Sequence, residues 1–303
     1  MAITRITTTL LANRSLRDIN AQLSRISTLQ EQLATGLRVN RPSDDPIDAR
    51  RAINVRVLLA KNEQFQSNID DITPQIDETA TTLLTVNDVL QRALELTIQA
   101  ANGTNSQQQL DAIALEIDEL LESVFAASNQ RTNGRSIFAG TQTLDDAFSA
   151  IRVGGEITAV TYEGNDVVTS VDISERIRID VNIPGTEPFQ SSTDIFQTLI
   201  GIRDDLRAGD QDSLRNVRID ALRDGMEQVL FSVARAGAVQ NRLEAVSSNL
   251  QDSNIQLTDL LSDKIDADFA ETVLGLNVAQ NAFEAALSAA GRVLQPSLID
   301  FIR

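Results

Sequence analysis

The sequence predicts a mainly α-helical protein, an elongated rod of long, antiparallel, coiled-coil-like helices drawn from both chain ends, with a small β-rich insert in the middle. Three observations lead there. Apolar residues recur at alternating three- and four-residue steps over 16–37, 55–100, 219–261 and 269–294, the period of an amphipathic helix. Between about 141 and 190 that period gives way to alternation at Ile177, Ile179, Val181 and Ile183, the period of a strand with one buried face. The order helix, helix, strands, helix, helix is nearly a mirror, so the chain leaves along one path and returns beside it.

The first stripe carries Leu16, Ile19, Leu23, Ile26, Leu33 and Leu37, with Gln30 as its one polar member. It stops at Gly36, and Pro42-Ser43-Asp44-Asp45-Pro46 restarts the chain. Asp45 is placed to cap the next helix, Pro46 suits a first helical position, and Ser43 and Asp44 add acceptors and negative charge near the positive end of its dipole. The second helix follows Val55, Leu58, Phe65, Ile69, Ile72, Ile76, Leu83, Val86, Leu90 and Ala93 to the breakers Asn102-Gly103, about twice the length of the first. Pro74 lies inside it, lacks a backbone donor, and predicts a kink or break near Thr73. A third helix through Leu110, Ile113, Ile117, Leu120 and Val124 closes by Asn133-Gly134.

Three strands are expected in the insert, at 157–162, 167–173 and 177–183, closed by Pro184-Gly185. The insert holds nine acids against three Arg, which suits a surface decoration. Ser192-Thr193-Asp194 then caps a short helix over 195–207, and Gly209-Asp210 turns the chain. The three-four register resumes from Ser213 and survives Gly225 and Gly237. Past Lys264-Ile265-Asp266 a last stripe carries Phe269, Val273, Leu276, Phe283, Leu287, Ala290 and Leu294, with Gln280 in line.

Composition narrows the function. The 303 residues contain no Cys, His or Trp, so thiolate and imidazole chemistry is absent, as are disulfides and the commonest soft metal ligands. A formal charge of -17 opposes nucleic acid and anionic lipid. No run reaches the length of a membrane span or of a signal-peptide core; export, if any, would use an uncleaved route. Paired acids at 44–45, 70–71, 145–146 and 204–205 are sequence neighbours, and neighbours on a helix point apart, unlike the converging carboxylates of a hydrolase. No phosphate-binding glycine loop or nucleophile elbow is present. The sequence implies no catalytic residue, cofactor or metal site.

A long apolar stripe must be buried against a partner to persist in water. Pairing 6–37 with 269–300 gives a two-helix unit too thin to hide both its faces. The expectation is a terminal pair that is disordered in the monomer and ordered when subunits assemble. The expected interface residues are Leu16, Ile19, Leu23, Ile26, Leu33, Leu37, Phe269, Val273, Leu276, Phe283, Leu287 and Leu294. Gly36, Pro42, Ser43, Asp44, Asp45 and Pro46 form the expected joint and helix cap.

Four stretches carry a resemblance. They are residues 32–40 running into Pro42-Ser43-Asp44-Asp45-Pro46, Ile137-Phe138-Ala139-Gly140, Gln240-Asn241-Arg242-Leu243-Glu244, and the closing Ser297-Leu298-Ile299-Asp300-Phe301. Through them the chain resembles the bacterial flagellin superfamily, over both helical arms, and its tail is closer to the hook-filament junction branch than to filament flagellins. Residues 95–106 are flagellin-like, and Pro74 departs from the usual pattern of either. The resemblance implies a structural, non-enzymatic flagellar protein. It also implies self-association in a ring, with another hook-associated junction protein and flagellin as neighbours. Delivery to the flagellum outside the cell would run through the flagellar export apparatus and a chaperone, without a cleaved signal or membrane insertion. The matching domains would be a terminal assembly domain (1–42 and 265–303), a helical rod (43–140 and 191–264) and a β-rich outer domain (141–190). Alternatives are a flagellin forming the filament itself and, from another class, a carboxylate- or metal-dependent enzyme on a helical scaffold.

Overall fold

A computed structural model describes residues 8–294; the closing Ser297–Phe301 motif lies outside the described residues. The chain is mainly helical. Its elements are α1 (Thr8–Thr35), α2 (Pro46–Ala101), α3 (Gln107–Ser128), β1 (Arg131–Thr132), β2 (Arg135–Ser136), β3 (Phe148–Val153), β4 (Glu156–Tyr162), β5 (Ser170–Ser174), β6 (Ile177–Asp180), α4 (Thr186–Gln190), α5 (Ile195–Ala208), α6 (Gln211–Ser213), a π-helical turn (Leu214–Arg218), α7 (Ile219–Ile265) and α8 (Phe269–Leu294). Two compact units result, one from residues 1–61 with 253–303, the other from 62–252.

The 62–252 unit owns the larger core. Leu83, Val86 and Leu90 of α2 meet Ile117 and Leu121 of α3, Leu199 and Leu206 of α5, and Leu222 and Val229 of α7, all essentially inaccessible to water. A second cluster joins Ile69, Ile72 and Ile76 of α2 to Leu243 and Leu250 of α7, roofed by Ile173 and Ile179. Helix α2 runs through Pro74 without the expected break. The proline ring faces solvent while Ile72 and Ile76 on either side are buried, so packing holds the helix across its missing donor.

The insert differs from expectation in two ways. It forms separate antiparallel hairpins, β3–β4 and β5–β6, rather than three strands, with a short β1–β2 hairpin before them. It is also half core. Phe148 and Ile157 sit inside the four-helix cluster and Ile173 inside the second, so the acidic residues decorate only the outer faces. Strand β3 pairs with β4 across Gly154-Gly155, both at positive φ (65° and 97°), the geometry a two-residue hairpin turn demands.

An aromatic knot ties the hairpin to the helices. Phe148 lies 5.1 Å from Tyr162, 5.4 Å from Phe189 and 5.2 Å from Phe196 between ring centroids. The Tyr162 hydroxyl reaches the carbonyls of Phe138 (3.0 Å) and Asn165 (2.9 Å), and burial pushes its pKa up to about 12. The Phe-Ala-Gly turn of the sequence belongs here. Gly140 has φ +65°, and a Cβ on it would fall 1.9 Å from the Asn165 carbonyl oxygen.

Candidate assembly interface

In the 1–61/253–303 unit the sequence joint is only half of a double joint. At the end of α1, Gly36 adopts φ +74° and its N–H donates to the Gln32 carbonyl at 2.8 Å, closing the helix in the left-handed manner. A Cβ at Gly36 meets no neighbour, so Gly36→Ala carries only the backbone cost. We expect about 1–2 kcal/mol loss in this unit, read by denaturant unfolding, with Gly36→Asn losing less.

Beyond Gly36 the chain runs against the α7–α8 connection. The N–H groups of Arg38 and Val39 donate to the Ile265 carbonyl (2.7 and 3.3 Å), and Ala267 N–H donates to the Gly36 carbonyl at 2.9 Å. Val39, Ala52 and Ile265 are buried together, with Leu37, Ala49 and Leu261 packed on them. Leu37 therefore serves the joint and not the helix stripe.

Caps flank both strands of this joint. Asp45 Oδ1 accepts from the N–H groups of Ile47 and Asp48, each at 3.0 Å, and Pro46 opens α2. Asp44 differs from expectation. Its carboxylate turns back to accept from Asn40 (3.1 Å) and Arg41 (2.8 Å), so it tightens the loop and leaves the helix end to Asp45. Pro42 and Ser43 are exposed in the turn. Across the connection Asp268 Oδ1 accepts from Ala270 (2.8 Å) and Glu271 (3.1 Å), capping α8. Arg38 bridges the halves, donating to Asp48 Oδ2 at 2.7 Å and to the Lys264 carbonyl at 2.5 Å, with Asp45 Oδ2 3.7 Å away.

The Asp48 N–H, opposed by desolvation and then aided by the Ile47 N–H and Arg38, holds the Asp45 carboxyl below the usual carboxylate range. A depressed folded pKa stabilises above the unfolded value and is lost as pH falls through the folded one. Acid below about pH 4 should therefore loosen the joint. Asp45→Asn, which keeps the acceptor, should reduce that acid sensitivity, as circular dichroism against pH would register.

Helices α1 and α8 run antiparallel from this joint. The Leu29 side chain lies 3.6 Å from where a Cβ on Gly275 would stand, so it packs against α8 at that glycine. The half-buried positions of α1 include Ser15, Ile19, Gln22, Ile26, Leu29 and Leu33, in three-four steps, and no described residue of α1 is fully buried. On α8 the facing residues are small. Thr272, Ala279 and Ala290 are buried, and Gly275, Ala282 and Ala286 lie on the same side.

The expected stripe is thus rotated from the seam. Ile19, Ile26 and Leu33 turn inward, as do Val273, Leu276 and Phe283 in part, whereas Leu16 (55% exposed), Leu23 (52%), Phe269 (70%) and Leu287 (47%) face out. The Leu294 side chain lies outside the described residues. The Gly275, Ala279, Ala282, Ala286, Ala290 series was a three-four pattern that the sequence offered and that a search for large apolar residues passes over. The Ile265–Asp268 half of the joint left no such pattern.

The family model for the bacterial flagellin N-terminal helical region matches residues 6–143. Flagellar hook-associated protein 3 of Escherichia coli K12 is 26% identical over 309 residues, covering 94% of this chain and 95% of that protein. The flagellar filament 30.7 kDa core protein of Treponema maltophilum is 30% identical over 249 residues, covering 78% of this chain and 80% of its own. The chain belongs to the flagellin family.

Among solved structures, Bacillus cereus FlgL matches this flagellin-family chain with a TM-score of 0.59 at 25% identity, over 69% of this chain and 99% of that one. As a flagellin-family member the protein is a structural component of the bacterial flagellum, not an enzyme, and assembles with other flagellar components. No helix among the described residues is long and apolar enough to cross a membrane.

Proposed function

We propose that this protein links hook to filament, as a junction protein of the hook-associated protein 3 type. The observation that carries the reading is the end-to-end likeness to the Escherichia coli protein of that name, across 95% of its length. The α1–α8 pair supplies the means. Its inner seam is narrow and built on small residues, so Leu16, Leu23, Phe269 and Leu287 stay wet until neighbouring copies cover them. In this reading residues 1–42 and 265–303 are the assembly domain, which associates in a ring. Residues 43–140 with 191–264 form the rod, and 141–190 face outward. The neighbours are the other hook-associated junction protein and flagellin, and delivery outside the cell uses the flagellar export apparatus and its chaperone, without a cleaved signal.

A second reading, a filament-forming flagellin, is favoured by the Treponema maltophilum filament protein at 30% identity. Electron microscopy of purified protein, alone and with isolated hooks, separates them. Caps of defined height on hook ends, with no free filaments, support the junction role; long filaments from the protein alone overturn it.

A further inference from the structure

In the 1–61/253–303 unit a cavity of about 350 Å³ opens between the first turns of α2 and the last turns of α7. Arg51, Ala52, Asn54 and Val55 line it from α2, and Leu260, Leu261 and Lys264 from α7. Ala52 and Val55 make a nearly buried floor, whereas Leu260 stands 45% exposed at the mouth. Ile47, Arg51, Asn54 and Leu58 follow one another in three-four steps along the α2 edge, all exposed, so the cavity continues as a groove beside that helix face. An apolar groove between two helices suits a bulky apolar side chain from a third.

Charge narrows the choice of occupant. From Asp48 to Glu63 the α2 edge carries Arg50, Arg51, Arg56 and Lys61 and no acid between them, and Lys264 closes the α7 side. Arg51 and Lys264 each hold one carboxylate, Asp48 at 3.4 Å and Asp263 at 2.6 Å, which leaves the α2 rim basic as a whole. The occupant should be apolar, with acidic flanks.

The same unit exposes such a group. Phe269, the first residue of α8, is 70% exposed, with Asp266, Asp268 and Glu271 around it. No cation lies between Lys264 and Arg292. Asp268 is engaged in capping α8 and Asp266 accepts from the Ser262 hydroxyl, bonds that leave their charge in place. Since Phe269 is exposed in the same chain whose groove is open, it does not fill its own groove. Knob and groove also lie within a few turns of the α7–α8 connection, so they meet at one level when copies stand side by side. A knob and a groove on separate parts of one surface join copies head to tail, the kind of contact that closes into a ring.

We propose that Phe269 of one copy seats in the groove of the next, on Ala52, Val55, Leu260 and Leu261, with its acidic flank against the basic α2 rim. This rests on the assembly role proposed above and names the contact that makes it. In the test, full-length protein with photoreactive p-benzoyl-phenylalanine in place of Phe269 is mixed with isotope-labelled protein of unaltered sequence, assembled with isolated hooks and irradiated. Mass spectrometry should find residue 269 of the unlabelled chain joined to 51–58 or 257–264 of a labelled one. Leu260→Glu in the labelled chain sets a carboxylate at the mouth and should cut that product about tenfold, with the circular dichroism of the free protein unchanged. Arg51→Glu should cut it severalfold. The proposal is overturned if residue 269 joins only its own chain, another part of the neighbour or another protein, if no copies are joined, or if both variants are captured as well as the parent. Free filaments in place of caps would remove the junction reading, while the cross-link scored within those filaments would still decide the contact.

Discussion

Leu23→Asp and Phe269→Asp should each leave the 62–252 unit folded and abolish assembly onto the flagellum. Both side chains are more than half exposed, so a carboxylate there costs the isolated chain little. In the proposed assembly the same positions are covered. Burying a Leu or Phe contributes about 1.5–3 kcal/mol, and an unpaired carboxylate in its place adds a desolvation penalty on top. Every copy carries the lesion, so the loss recurs at each contact. Co-sedimentation with hook ends should fall to background for both variants, while the main melting transition stays within a degree or two of the parent, the range of a surface change. Assembly at parental levels would remove the outward stripe from the interface.

Phe148→Ala is expected to give the largest stability loss in the molecule, about 3–5 kcal/mol in the 62–252 unit. Phe148 is 1% exposed and sits against Tyr162, Phe189 and Phe196, so truncation opens a cavity in the middle of the aromatic knot. The surrounding glycines cannot collapse into it: a Cβ on Gly185 would stand 2.7 Å from the Phe148 ring, which shows how closely backbone already approaches. The denaturant midpoint should fall sharply with little change in slope. Phe231→Ala, at a site 69% exposed, is the control and should stay within about 0.5 kcal/mol.

The long helices were legible because their stability comes from burying a periodic face, and the period is written in the residues. Asp45-Pro46 and Asp194 marked helix starts for a local reason, a side-chain oxygen within reach of the first free N–H groups; Asp194 accepts from Gln197 at 2.9 Å. What stayed hidden depends on distant partners. Strand β3 was missed although Gly154-Gly155 signals a hairpin, because Phe148–Val153 alternates only weakly and its burial is set by α5 and α4. The five-residue helix α4 was also missed, and the π-helical turn at Leu214–Arg218 interrupts a register read as continuous. There Arg218 lies over Gly201 and donates to Asp205 at 2.7 Å, a tertiary contact with no periodic trace. At the assembly site the large apolar residues were visible, but which of them turned inward was not. The two-helix seam sets the α1 side chains, Leu29 among them, against Gly275 and the alanines of α8, and that leaves bulk outside.

If the outward stripe is the interface, α1 and α8 acquire their protection from neighbouring copies rather than from each other. Amide hydrogen exchange, measured on the isolated protein and on the same protein assembled at hook ends, tests it directly. Fast exchange is expected across 16–33 and 269–290 in the isolated protein, strong protection of the same amides after assembly, and slow exchange of 83–124 in both. Equal, strong protection of α1 and α8 before and after assembly would contradict it.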